Sequence, residues 1–255
     1  METELKRVLG DRLIYENDFF FVIDKDNQTA AHRNSLSHDI KNVSDIIRPY
    51  ISFPQDDLRA GIVHRLDRET SGLMLCAKDP RSLIILQRLF SDRLVKKKYF
   101  ALVHNRLVEG SGQLKSYLGR DRKWRTKQKV LSTVDDFSNH PEEQTDEEKE
   151  GRMAITHYET VALFRDKSLL DVEIETGRTH QIRVQLADKG YPVVGDHLYS
   201  KSENEKLLYL YAYYLSFPNP FDNDRLINFE GTYPPFFQNR LLEEKDGFLR
   251  EKENI

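Results

Sequence analysis

The chain holds one cysteine, Cys76, in 255 residues. That excludes a disulfide within the chain and any multi-cysteine zinc site. Cys76 lies inside the apolar run Leu73-Met74-Leu75-Cys76-Ala77, which reads as a buried strand carrying an inert thiol. No apolar stretch reaches the ~20 residues a bilayer-spanning helix needs. No charged-then-apolar segment opens the chain in the manner of a targeting signal. The expectation from both absences is a cytoplasmic protein with no membrane partner. A net charge of −3 withholds the overall basic character of many nucleic-acid binders, so any such role rests on local charge. Internal repeats and a glycine-rich phosphate loop are also missing.

What is present suffices for a sizeable core: 38% of residues are hydrophobic and 32% charged. Two strand-like runs flank Glu16-Asn17-Asp18, which predicts a hairpin over residues 13 to 24. A short helix is expected near Val43 to Tyr50. Asp79-Pro80 reads as a helix start, with Leu83, Leu86, Phe90 and Leu94 on one helical face. Strands follow at Tyr99 to Val103, Ala154 to Leu163, Ser168 to Glu175 and within 206 to 217. In the third of these, Leu170, Val172 and Ile174 alternate with acids, so one face is buried. A short helix from His180 to Lys189 ends at Gly190. Many strands with few, short helices predict an α+β fold around a mixed, largely antiparallel sheet. The reading divides the chain into an N-terminal extension (1–12), one catalytic domain (13–240) and a charged C-terminal tail (241–255), which from Glu243 ends in a solvated helix or coil.

Local charge is uneven. Lys115, Arg120, Arg122, Lys123, Arg125, Lys127 and Lys129 crowd residues 114 to 130 against the single acid Asp121, with Tyr117 and Trp124 interleaved. Residues 135 to 150 invert the sign, with Phe137 as their one apolar residue, and read as a solvated, disordered insertion.

Asp67 stands between Arg65 and Arg68 in His64-Arg65-Leu66-Asp67-Arg68-Glu69-Thr70-Ser71-Gly72. A carboxylate among arginines stays ionised at neutral pH, which suits a nucleophile or base. Three further segments accompany it: Lys98-Tyr99-Phe100-Ala101-Leu102-Val103, Thr176-Gly177-Arg178-Thr179-His180-Gln181-Ile182-Arg183-Val184, and Gly190-Tyr191-Pro192-Val193-Val194-Gly195-Asp196-His197-Leu198-Tyr199. In this order and at these separations they resemble the RluA-type family of pseudouridine synthases, over about Leu13 to Pro220. The resemblance implies an RNA partner, in the form of a ribosomal or transfer RNA stem-loop, and no cofactor. It implies that Asp67 is the catalytic aspartate, Tyr99 the tyrosine that stacks on the target base, and Arg183 the arginine that pairs with the aspartate. It further implies substrate contacts from Arg65, which enters the RNA stack as the uridine flips out, and from His64, Arg178, Ile182, Lys127 and Lys129.

The residue types suit that reaction. Pseudouridine forms when the N-glycosidic bond breaks, the uracil turns, and C5 joins the ribose; no atom is added and no redox step occurs. An ionised Asp attacks C1′ or removes the C2′ proton, and both routes stay open. Extruding the uridine costs a few kcal/mol, which a side chain filling the gap offsets in part. A tyrosine face holds the detached base by stacking, worth roughly 1–3 kcal/mol.

His64 and His180 lack partners at ligand spacing, so no metal is expected. His64-Arg65 before Asp67 is similar to a kinase catalytic loop, but the later Asn and the Asp-Phe-Gly are missing. Gly195-Asp196 reads as a structural turn. An RNA-binding protein of this fold that no longer catalyses has no need of Asp67. Two departures from the family pattern stand out. Lys25 is followed by Asp26 where the family carries proline, and Tyr211 stands where a histidine is usual. The dozen residues before the first strand are too few for the S4-type RNA-binding domain of many relatives, and nothing demands more than a monomer.

Overall fold

The computed structural model describes residues 2–32, 42–54, 57–124, 126–133, 151–200 and 205–253. The insertion read at 135–150 and Arg125 of the basic run lie outside the described residues. The chain forms two compact units, one of Met1–Lys97 with Tyr211–Thr232, the other of Lys98–Leu210 with Tyr233–Ile255.

In the first unit a short helix, α1 (Glu4–Leu9), leads into the predicted hairpin, β1 (Leu13–Glu16) and β2 (Phe20–Lys25). Asn17 closes it by accepting the Phe19 and Phe20 N–H groups at 2.9 and 2.8 Å. After α2 (Val43–Ile47) come β3 (Ser71–Ala77) and α3 (Pro80–Ser91). β2 and β3 pair antiparallel, with Phe21 opposite Cys76. Both strands read as continuous apolar runs because both faces are covered. Phe20, Val22, Leu73 and Leu75 pack with Leu86 and Leu89 of α3, while Phe21, Ile23, Met74 and Cys76 pack with Leu5, Leu9, Val43 and Ile47. Cys76 is buried, and burial pushes its thiol pKa up, which keeps it inert.

α3 begins where the sequence places it. Asp79 Oδ1 accepts the Arg81 and Ser82 N–H groups at 2.9 Å, with Pro80 in the first turn. Its end differs from the reading. Leu94 is not on the helical face; it is 52% exposed. Arg93 takes a left-handed φ of 59°. The Leu94 N–H bonds to Leu89 O at 2.9 Å and the Arg93 N–H to Phe90 O at 3.3 Å, which is a Schellman cap. That cap usually announces itself with glycine; here arginine fills the position.

The second unit contains β4 (Lys96–His104) from Lys98 onward, β5 (Ser111–Arg120), β6 (Gln128–Thr133), β7 (Arg152–Leu163), β8 (Lys167–Ile174) and α4 (Gln181–Asp188). The strand order β4-β8-β7-β5-β6 is antiparallel throughout. The basic run, read from its charge alone, is therefore a β5–β6 hairpin. Asp121 shapes its turn by accepting the Lys123 and Trp124 N–H groups, both at 2.8 Å. α4 packs Val184 against Leu118 of β5 and Ala154 of β7. β9 (Leu210–Asn219) pairs parallel with β3 at Ser71 and antiparallel with β10 (Arg225–Glu230). Parallel and antiparallel pairings thus mix in one largely antiparallel, α+β architecture.

α5 (Pro235–Glu253) starts well ahead of Glu243, so the charged end continues a helix docked at its start, with Glu243, Lys245 and Asp246 exposed on it. Phe237 is wholly buried, with its ring 5.5 Å from that of Tyr209. Glu244 then accepts from Arg240 at 2.8 Å and from Lys167 at 3.2 Å. Among the described residues no helix is long and apolar enough to cross a membrane.

Candidate active site

In the first unit the segment from His64 to Gly72 forms the turn that enters β3. The Thr70 N–H bonds to Asp67 O at 3.1 Å, which folds the chain over the carboxylate-bearing residue. Gly72 terminates the turn at φ 125°, where a Cβ would lie 2.4 Å from Ala212 O. Only glycine permits β3 and β9 to meet there.

Two side chains, Lys25 and His64, brace this turn. Lys25 is 2% exposed, and its Nζ donates to the carbonyls of Asp26 (2.6 Å), Thr29 (2.9 Å) and Arg68 (3.0 Å). The last bond fixes the residue after Asp67. Burial lowers the Lys25 pKa to about 8, against the opposing pull of Asp26, Asp67 and Asp24. His64 accepts the Leu75 N–H through Nε2 at 3.0 Å and stacks on Phe90 at 4.6 Å. Burial, with the nearby Lys97 cation, drives its pKa to about 3, so the ring is neutral. Arg65 is exposed, and Asp67 is half-buried. Asp26, the departure from the family's proline, closes its loop by other means. Its Oδ1 accepts from the Gln28 and Thr29 N–H groups at 2.9 and 2.8 Å, and its Oδ2 from Arg12 at 3.2 Å. A carboxylate cage replaces the rigidity a pyrrolidine ring supplies. The other departure, Tyr211, is buried and donates its hydroxyl to Asp24 at 2.9 Å.

In the second unit Tyr99 lies on β4 opposite Val172 and is 7% exposed. Arg183 sits in the first turn of α4. His180, at φ 55°, turns the chain into that helix. The Gln181 side chain anchors its start, accepting from Thr176 Oγ1 at 2.7 Å and from the Arg178 N–H at 3.0 Å while donating to Ile155 O at 3.0 Å. Arg178 Nε donates to Met153 O at 3.0 Å, and Ile182 is buried.

Arg183 is itself 1% exposed. Its Nε and NH2 groups donate to Asp196 Oδ2 and Oδ1 at 2.7 and 2.8 Å, a bidentate pair. Asp196 is fully buried and also accepts the Leu198 and Tyr199 N–H groups at 3.0 and 3.2 Å. Gly195 makes this possible at φ 79°, since a Cβ would lie 1.7 Å from Leu207 O. The turn is structural, as read, but its carboxylate also orients Arg183, which sequence reasoning missed. A signal was available: an acid separated from the buried pair Val193-Val194 by Gly195 alone needs a cationic or hydrogen-bonding partner.

Lys127 and Lys129 flank the start of β6, half-buried, with the Lys127 Nζ 6.0 Å from the Tyr199 ring centre. The structure thus gathers His64, Arg65 and Asp67 in one unit, and Tyr99, Lys127, Lys129, Arg178, Ile182 and Arg183 in the other. A cavity of about 250 Å³ opens beside the end of α4, lined by Gln113, Lys115, Thr133, Gln185 and Lys189 among others, and none of the predicted site residues lines it. Among the described residues no His, Cys, Asp and Glu side chains cluster so as to hold a metal ion.

Residues 20–188 match the model of the RNA pseudouridylate synthase family. The chain belongs to that family. It is an RNA pseudouridine synthase, an isomerase that converts uridine to pseudouridine. Among similar proteins is the ribosomal large subunit pseudouridine synthase C of Rickettsia prowazekii, 31% identical over 93% of this chain and 73% of the relative. An uncharacterised RNA pseudouridine synthase of Mycobacterium bovis is 32% identical over 91% of this chain and 72% of its own. The solved structure of human RNA pseudouridylate synthase domain containing 4 has the same fold, with a TM-score of 0.74, 20% identity, and coverage of 94% of this chain and 95% of that one. All four segments that first suggested a pseudouridine synthase lie within or just beyond the matched span.

Proposed function

We propose that this pseudouridine synthase acts on ribosomal RNA, with Asp67 as the carboxylate that works on the ribose. The names of relatives such as the Rickettsia enzyme support the substrate class. The observation that carries the assignment of Asp67 is its turn: Lys25 holds the next carbonyl, the neutral His64 holds β3, and Gly72 fixes the exit. Such rigidity serves a group that must meet C1′ or the C2′ proton at one geometry.

In this reading the target uridine leaves its stack, Arg65 fills the vacated space, and the base enters beside Ile182 and against the Tyr99 ring. Arg183 is the balancing cation of the reaction centre. Lys127, Lys129 and Arg178 engage the RNA backbone; His64 acts from behind, keeping the Asp67 turn in register. The isomerisation conserves every atom, so the protein works without a cofactor. The setting is the cytoplasm, and the acting form a monomer.

The test uses purified protein and ribosomal RNA carrying tritium at uracil C5, since isomerisation releases that label to water. Wild type releases it and Asp67→Ala does not, the loss being on the order of a thousandfold or more for a group that forms or breaks bonds at the ribose. Equal release by Asp67→Ala sinks the assignment. Release from transfer RNA in place of ribosomal RNA overturns the substrate class alone.

A further inference from the structure

Tyr199 joins two parts of the second unit that the chemistry treats separately. Its hydroxyl accepts the Gln128 N–H at 2.8 Å and lies 2.9 Å from His180 Nδ1. Gln128 stands between Lys127 and Lys129 at the first residue of β6; His180 is the left-handed residue that starts α4. Its ring lies 5.6 Å from the Arg183 guanidinium carbon and 6.0 Å from the Lys127 Nζ. Its backbone N–H bonds to Asp196, the partner of Arg183. One side chain therefore touches the basic hairpin, the helix start and the buried ion pair.

We infer that Tyr199 is a positioning residue that couples the RNA-facing start of β6 to Arg183: the hydroxyl holds the hairpin backbone at Gln128, and the ring holds the guanidinium. The inference rests on the proposed roles of Lys127, Lys129 and Arg183. The two halves of the side chain do different work. A tyrosine hydroxyl that accepts a backbone N–H fixes strand position, and so fixes where the flanking lysines meet phosphates. An aromatic face beside a buried guanidinium restricts its orientation without neutralising it.

The division gives separable expectations. Tyr199→Phe keeps the ring and removes the hydroxyl bonds. Loss of one such bond corresponds to roughly fivefold, expected in KM and in the RNA dissociation constant rather than in kcat. Tyr199→Leu removes the ring as well, and kcat falls in addition by about tenfold or more as Arg183 loses its support. Each variant is assayed by single-turnover tritium release and by filter binding to the same RNA, with the folded fraction counted by binding stoichiometry. A purely structural role predicts fewer active molecules with unchanged kcat and KM, and that pattern overturns the inference. So does an equal loss in both variants, or none in either. Should the leucine variant fail to fold, the phenylalanine variant decides alone: an unchanged KM rejects the coupling. Asp67→Ala runs beside them. If it turns over while the Tyr199 variants behave as expected, the proposed catalytic assignment fails and the coupling stands.

Discussion

His64 shows how a single residue of the Asp67 turn trades its usual chemistry for position. Its Nε2 accepts the Leu75 N–H, which requires the neutral ring, and burial with the Lys97 cation holds its pKa at about 3. In the unfolded chain a histidine titrates near ~6.5. Between these values the unfolded state binds a proton that the folded state does not, so this residue's contribution is intact above about 6.5 and falls as pH drops toward 3. The slope for one such group approaches ~1.4 kcal/mol per pH unit within the window. Replacing His64 with Gln keeps an acceptor and removes the titration. Urea midpoints at pH ~6.5 and ~4.5 are expected to fall further for wild type than for His64→Gln; equal falls contradict the neutral-clamp account. The sequence identified this histidine beside Asp67 and assigned it to the RNA. Its bond to a residue eleven positions later, and its stacking on Phe90 of α3, exist only once β3 and α3 have packed. Asp67, Tyr99 and Arg183 enter the proposed site on motif order alone. Asp196 and Lys25 owe their roles to three-dimensional partners, which spacing alone does not display.

At the scale of elements, what the sequence revealed followed periodicity and caps. The β1–β2 hairpin, the Asp79-capped start of α3 and the buried face of β8 all appear where alternation and capping chemistry put them. The readings that failed lacked their usual residue. Arginine, not glycine, closes α3, and Leu94 swings to solvent. Charge obscured the β5–β6 hairpin, and the helix or coil expected from Glu243 begins earlier, as α5 at Pro235. Glycine at position 72 is the element-scale device on which the site depends. β3 and β9 approach so closely there that a methyl group would meet the Ala212 backbone, and the φ of 125° disfavours any side chain. Gly72→Ala therefore combines backbone strain with steric overlap, and the expected loss is about 3 kcal/mol. Chemical denaturation measures it. A change within ~0.5 kcal/mol, typical of a surface position, shows that the two strands can separate without consequence.

For the whole molecule, the net charge of −3 conceals a local cationic surface. The β5–β6 hairpin carries Lys127 and Lys129 beside an exposed Trp124, which is 56% accessible with the Lys123 Nζ 5.8 Å from its ring. Binding an RNA backbone through these lysines releases counterions, so affinity falls with salt in proportion to the phosphates engaged. Replacing both lysines with Ala is expected to lower the magnitude of the log–log slope by roughly 1 to 2. An unchanged slope removes the hairpin from the RNA interface.

The most direct measurement is pseudouridine mapping of ribosomal RNA by chemical derivatisation and reverse-transcription stops, in cells without this gene and in cells given back either wild type or Asp67→Ala. The account predicts a site that disappears with the gene, returns with wild type, and stays absent with Asp67→Ala. A site restored by Asp67→Ala contradicts it.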